Sequence, residues 1–391
     1  GDKENGAKLF ISRGCRACHT IGEPPPSEWT STRDLAGIGI KARADWLIDF
    51  IKTPRNYNPD TAMPRMQLTD ADVRDLVAFL MSHRENADLV ANVPRATPGV
   101  MTNSAQQLIT SLDCPRCHRV NGVRLLERGT GWRAPPRACA ACHEESAPMQ
   151  PVAAASIDVT GALTEGRRLV AYYNCRGCHR IDGQGGIIAD YIERKSFAPP
   201  TLEGEGARVQ TSWLVDYLQQ PRSLRPWLGI HMPDFGLTPA EAQMLATYFA
   251  VLASVQAADE PPKSASSELA TLGERRFVRH KCIQCHVAVT GAAIPAGIDP
   301  EDLSIDLRLT KVRLRPSWIR KFLAHPKTVV GTATRMPAVF YDSDGDPKVD
   351  APEQDIAAIT EYLIQMTEAH GVPATPPNAD ATAIDWSTQP Y

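Results

Sequence analysis

One five-residue pattern, Cys-x-x-Cys-His, constrains this chain more than any other feature. It occurs at residues 15–19, 114–118, 139–143, 175–179 and 282–286, and the five copies use all ten cysteines and five of the ten histidines. No cysteine remains for a lipid anchor or a disulfide elsewhere, so the chain must fold around whatever the motifs hold. Zinc takes four ligands, ordinarily from two Cys-x-x-Cys pairs, and five pairs leave one unmatched. Zinc also has no need of a His directly after every second Cys. Disulfides within each motif would leave the five histidines unexplained.

Covalent haem accounts for all three residues at once. Two thiols add to the two porphyrin vinyl groups, and the adjacent imidazole coordinates the iron. The expectation is five haem c groups. Their attachment residues are Cys15, Cys18, Cys114, Cys117, Cys139, Cys142, Cys175, Cys178, Cys282 and Cys285. Their proximal ligands are His19, His118, His143, His179 and His286.

A chain of 391 residues exceeds the length of about 150 residues expected of one domain. Its aromatic content of 6% is low, which suits a protein whose cores gain flat apolar surface from porphyrins. The formal net charge of −3 omits two propionates on each haem. Lys and Arg are scattered rather than clustered, which argues against a nucleic-acid partner. No apolar run of about 18 residues is present, so no transmembrane segment is expected in this chain. The first residue is Gly1 and no charged-then-apolar leader precedes it, so a mature, processed form is expected. Haem attachment outside the cytoplasm gives the same extracytoplasmic expectation, on the periplasmic or outer face of a membrane.

The chain contains three long internal copies of one pattern. In each, a glycine lies nine residues before the first Cys: Gly6, Gly166 and Gly273. A Trp phrase ending in Pro follows, from Trp46 to Pro54, from Trp213 to Pro221 and from Trp318 to Pro326. A Met-Pro pair comes next, at Met63, Met232 and Met336, separated from the motif His by 44, 53 and 50 residues. Each copy closes on an amphipathic helical period. Val73, Leu76, Val77 and Leu80 carry it in the first, Leu245, Tyr248, Phe249 and Leu252 in the second, and Ile356, Ile359, Leu363 and Met366 in the third. Thr69 or Asp70, and Thr238 with Pro239 behind it, stand where helix N-caps belong.

This layout resembles the class I cytochrome c domain over residues 3–83, 162–255 and 268–370. The most specific parts are Met232-Pro-Asp-Phe-Gly-Leu-Thr238, Met63-Pro-Arg-Met-Gln-Leu-Thr69 and Pro200-Thr-Leu-Glu-Gly204. The resemblance implies a mainly α fold of helical domains and a Pro200 carbonyl that accepts the N–H of the proximal imidazole. The first and third copies match that Pro-x-Leu-x-Gly segment poorly, so another carbonyl is expected to serve there. Met63, Met232 and Met336 are the expected sixth ligands. A thioether is a soft, neutral donor, and His/Met ligation raises a haem's potential relative to His/His. Met66 and His231 are local competitors.

Residues 84–161 break the repeat. Only 20 residues separate His118 from Cys139, and no Trp phrase or Met-Pro follows, so this is a compact two-haem insert with little regular structure. The expected division is 1–90, an insert at 91–160, then 161–258, 268–370 and an extended Pro-rich tail at 371–391. Residues 257–267 read as a linker. Sixth ligands for the two insert haems are expected from outside residues 114–143, with His83 the first choice and Met101 the second; His231, His280, His325, His370 and Met149 are the remaining candidates. The insert is expected to bridge the first domain to the other two. The acidic stretch 342–346, with Asp350 and Glu353, resembles a calcium loop but has Pro347 where that loop needs glycine.

The function expected is single-electron transfer through a chain of haems, with redox proteins of a membrane respiratory or photosynthetic electron-transport complex as partners and the tail as a docking strand. Two alternatives stay open. One is a haem enzyme, of the peroxidase or sulfur-compound dehydrogenase type, with an open site in the insert. The other is the protomer of a cytochrome filament.

Overall fold

The computed structural model describes residues 1–23, 33–58, 61–85, 159–225, 228–260, 266–282, 286, 307–331 and 334–366. These are mainly α-helical. Strand among the described residues is confined to two short ladders, His19–Thr20 parallel to Arg33–Asp34 and Arg180–Ile181 antiparallel to Gln184–Gly185. Of the insert at 91–160, everything up to residue 158 lies outside the described residues, including Met101 and the motifs at 114–118 and 139–143. Cys285 and the tail lie outside them too.

Each long copy supplies the same three helices. The opening helices are Lys3–Ser12, Val159–Tyr172 and Ser267–Arg279. The Trp helices are Ala44–Lys52, Thr211–Gln219 and Pro316–Ala324, and the closing helices are Asp70–Ser82, Pro239–Leu252 and Pro352–Gln365. Their apolar periods point inward onto three separate cores. Leu9, Phe10, Val73, Leu76, Val77 and Leu80 build the first. Leu169, Val170, Leu245, Tyr248 and Phe249 anchor the second, and Phe277, Ile319, Ile356, Ile359 and Leu363 the third. Burying each such side chain stabilises by about 1.5–3 kcal/mol.

The closing helices start where their side chains supply acceptors for otherwise unpaired N–H groups. Thr69 is the N-cap of the first and forms a reciprocal capping box with Asp72. Thr238 does the same with Glu241, and Pro239 sits at the first helical position, where its missing N–H costs nothing.

The repeated glycine has a packing cause. A Cβ at Gly6 would stand 2.1 Å from the Asp75 carbonyl oxygen, one at Gly166 2.3 Å from the Tyr248 ring, and one at Gly273 2.0 Å from the Ala358 carbonyl oxygen. Opening and closing helices cross at these points with no room for a side chain. On each Trp helix the indole stacks on the ring one turn later: Trp46 on Phe50, Trp213 on Tyr217 and Trp318 on Phe322, at 4.7, 4.8 and 4.8 Å between centroids.

Two seams join the copies, and each pairs equivalent residues. Between the first and second, the residues that follow the two Met-Pro pairs form an antiparallel bridge: the Arg65 N–H donates to the Asp234 carbonyl at 2.8 Å, and the Asp234 N–H returns to Arg65 at 3.1 Å. Between the second and third, Val209 bridges Leu314, each lying four residues before its Trp. There the buried Arg315 side chain donates to the carbonyl of Val209 at 2.9 Å and to the Thr211 hydroxyl at 3.1 Å.

The stretch read as a linker is structured at its start. The Asp259 carboxylate accepts from the Ser212 N–H at 2.9 Å, and the Glu260 carboxylate from the Ser317 N–H at 3.1 Å. Adjacent acidic residues thus cover the first turns of two Trp helices, where carboxylates are favoured.

Candidate haem sites

The attachment turns share a conformation that the sequence does not advertise. The residue before the first Cys is left-handed in all three copies: Gly14 at φ 82°, Asn174 at φ 50° and Lys281 at φ 58°. From there the second motif makes one helical turn, Cys175–Cys178, and the first a 3₁₀ turn, Cys15–Ala17. The tight turn brings two thiols to one side, with His next in line. In the second and third copies the motif His donates its backbone N–H to the carbonyl of the first Cys, at 2.9 Å for both His179 and His286. Cys15, Cys18, Cys175, Cys178 and Cys282 form no disulfide among the described residues. Burial pushes Cys15 and Cys175 up to about 12, and it raises Cys18 and Cys178 as well.

The second copy gives the fullest site. The His179 Nδ1–H donates to the Pro200 carbonyl at 2.7 Å, as the resemblance implies. That fixes the tautomer and leaves Nε2 free to bind a metal. Burial lowers the His179 pKa and so favours the neutral imidazole that a metal needs. Met232 and Phe235 pack against the same core. This donor set fits haem c: two thiols on one turn, an oriented neutral imidazole, and a thioether facing the same apolar core.

In the other copies less of the site is described. His19 opens the short ladder with Arg33. Met63 packs against the first core and Met336 against the third. Both Met backbones are held by a threonine two residues earlier, Met63 N–H to Thr61 Oγ1 at 3.1 Å and Met336 N–H to Thr334 Oγ1 at 3.3 Å. Burial pushes His286 down to about 4, and its Nδ1 is buried without a partner among the described residues. The substitute carbonyl expected in the third copy is therefore absent from the described residues.

The remaining histidines separate by what holds them. His83 is the C-cap of Asp70–Ser82; its Nδ1–H donates to the Phe79 carbonyl at 2.9 Å, which leaves Nε2 for a ligand role. The motif it was expected to serve lies outside the described residues. His280 is committed elsewhere, with Nε2 2.7 Å from Asp355 in a buried pair that Arg276 joins at 2.8 Å. His325 lies against Tyr341, 5.1 Å between centroids. His231 has a buried Nε2 with no partner among the described residues.

In the acidic loop, Asp342 Oδ1 accepts the N–H groups of Asp344 and Asp346 at 2.9 and 2.8 Å, and these backbone bonds hold its carboxyl below the usual range. No group of three or more His, Cys, Asp or Glu converges as a metal-ion cluster among the described residues.

The first and second attachment turns abut. Asn174 Nδ2 donates to the Ala17 carbonyl at 3.0 Å and lies 3.3 Å from Cys18 Sγ. A Cβ on Gly177 would fall 2.3 Å from the same Ala17 oxygen. The Arg16 guanidinium rests over the Tyr191 ring at 4.9 Å. The first copy therefore meets the second directly; the insert that was expected to bridge them lies outside the described residues up to residue 158.

Residues 3–84 and 163–252 match the family model for cytochrome c. The match supports a c-type cytochrome and, for these two segments, covalent haem, iron and electron transport. No curated protein and no solved structure matches the chain. No helix among the described residues is long and apolar enough to cross a membrane.

Proposed function

We propose that the chain is an extracytoplasmic pentahaem c-type cytochrome that passes single electrons between redox partners, as a subunit or partner of a membrane electron-transport complex. The observation that carries this reading is the use of every cysteine in five Cys-x-x-Cys-His motifs, joined to the His179–Pro200 bond that readies one imidazole for iron. When bound, the haems supply reversible one-electron iron chemistry, and the protein sets ligand, burial and spacing.

The chain's own residues divide that work. Ten cysteines anchor, and the five motif histidines ligate. Met63, Met232 and Met336 supply the opposite, potential-raising ligand, and His83 and Met101 supply ligands to the insert. The abutting turns at residues 15–18 and 175–178 support adjacent first and second sites, which suits transfer rather than bond-making. The test is intact mass of the denatured protein, with expected mass the polypeptide plus five covalent haems. Fewer haems, or zinc in their place, overturns the reading.

A further inference from the structure

At the seam between the second and third copies, three guanidinium groups and one carboxylate share an electrostatic neighbourhood. Arg208 pairs with Glu205, their side chains 14% and 6% exposed. Arg225 donates to the carbonyls of Ser196 and Ala198 at 3.0 and 3.4 Å. Arg313 comes from the third copy, and its guanidinium lies over the Trp213 ring of the second, 5.1 Å from the centroid. The Nε atoms of Arg208 and Arg313 are buried and have no hydrogen-bond partner among the described residues.

Burial, together with Arg208 and Arg225, pulls Arg313 down to about 10 against the opposing pull of Glu205 and Tyr217. All these groups therefore share one electrostatic neighbourhood, and Arg313 is still a cation at neutral pH. Three cations beside one anion leave two charges uncompensated in a place where lost hydration is costly. The Ala198 carbonyl that Arg225 holds lies two residues before Pro200, whose own carbonyl takes the His179 N–H at 2.7 Å, which sets the cluster beside the second copy's haem site.

We propose that Arg208, Arg225 and Arg313 receive the two propionate carboxylates of the haem anchored at Cys175, Cys178 and His179, so that the third copy completes a site in the second. This rests on the cytochrome reading above. Two carboxylates match the two surplus charges, and a guanidinium fork suits a carboxylate better than an ammonium does. Positive charge held there offsets the propionate field at the iron and raises the reduction potential.

The experiment is a redox titration of the whole protein with Arg313→Gln and Arg313→Lys. The relevant wave is identified as the one missing from a Cys175→Ala/Cys178→Ala variant, whose intact mass is one haem lighter. Arg313→Gln is expected to lower that midpoint and leave the others in place, and Arg313→Lys to restore most of it. A shift confined to the third copy's wave, or no shift, overturns the assignment. If Arg313→Gln does not accumulate, Arg313→Lys alone decides. It keeps the charge but loses the fork, so the carboxylate bands of the redox-difference infrared spectrum should shift, and unchanged bands overturn the proposal. Absence of haem on the 175–178 peptide of the parent is a different result, since it removes the cytochrome reading itself.

Discussion

A single bond, His179 to Pro200, shows what one residue can contribute. The proline carbonyl can only accept, so the imidazole is committed to one tautomer before any metal arrives. With Met232 as the proposed opposite ligand, Met232→Ala is expected to remove one high-potential wave while the others persist. A titration left unchanged by Met232→Ala but altered by His231→Ala would hand the role to the histidine. Asp34 makes a pH-dependent contribution near the first site. The N–H groups of Gly22 and Ala36 hold its carboxyl below the usual range. Its stabilisation is therefore present above the unfolded value of about 3.9 and is lost as pH falls below it. Asp34→Asn should remove that share of acid sensitivity, read by following the Soret band during acid titration. The motif residues stand out in the sequence because covalent haem attachment dictates both their types and their spacing. The left-handed residue before each first Cys was not. Gly14, Asn174 and Lys281 share a conformation but no chemistry, and only glycine and asparagine hint at it.

The helices were largely legible because their apolar periods and caps are local signals. Val73, Leu76, Val77 and Leu80 are all buried, and Thr69 and Thr238 cap as expected. What a period cannot reveal is where two helices cross, because that depends on residues far apart in the chain. The repeated glycine was visible as a marker, but its reason lay in the partner helix. Gly273→Ala puts two effects in opposition. Alanine gains about 1 kcal/mol of intrinsic helix preference, whereas overpacking costs about 1–3 kcal/mol. The obstacle at Gly273 is a backbone carbonyl 2.0 Å away, which cannot rotate aside, so the clash wins. Urea unfolding should show a net loss, and an unchanged or higher midpoint would show that the crossing can open freely.

At the scale of the molecule, the middle copy has two neighbours and meets them through different faces. It offers its Met loop and attachment turn to the first copy, and the residues just before its Trp helix to the third. Neither seam was legible, because both pair residues more than a hundred positions apart in the chain. Gly177→Ala tests the first seam. Its new methyl would meet the Ala17 oxygen, so the two turns must separate. The expected outcome is faster amide exchange at residues 14–18 and 174–178 with the helical cores unaffected; identical exchange would show that the contact is not maintained in solution.

The Asp259–Glu260 pair bears on how such a gene can be cut. Glu260 gives its backbone to the second copy, exchanging bonds of 2.8 and 2.9 Å with the Gln210 amide, while its carboxylate serves Ser317 of the third. A break after Asp259 strips the second copy of the Gln210 bonds, and a break after Glu260 strips the third of its carboxylate. The frontier between the copies is a residue rather than a peptide bond, and two excised fragments both keep their native ends only if each carries its own Glu260.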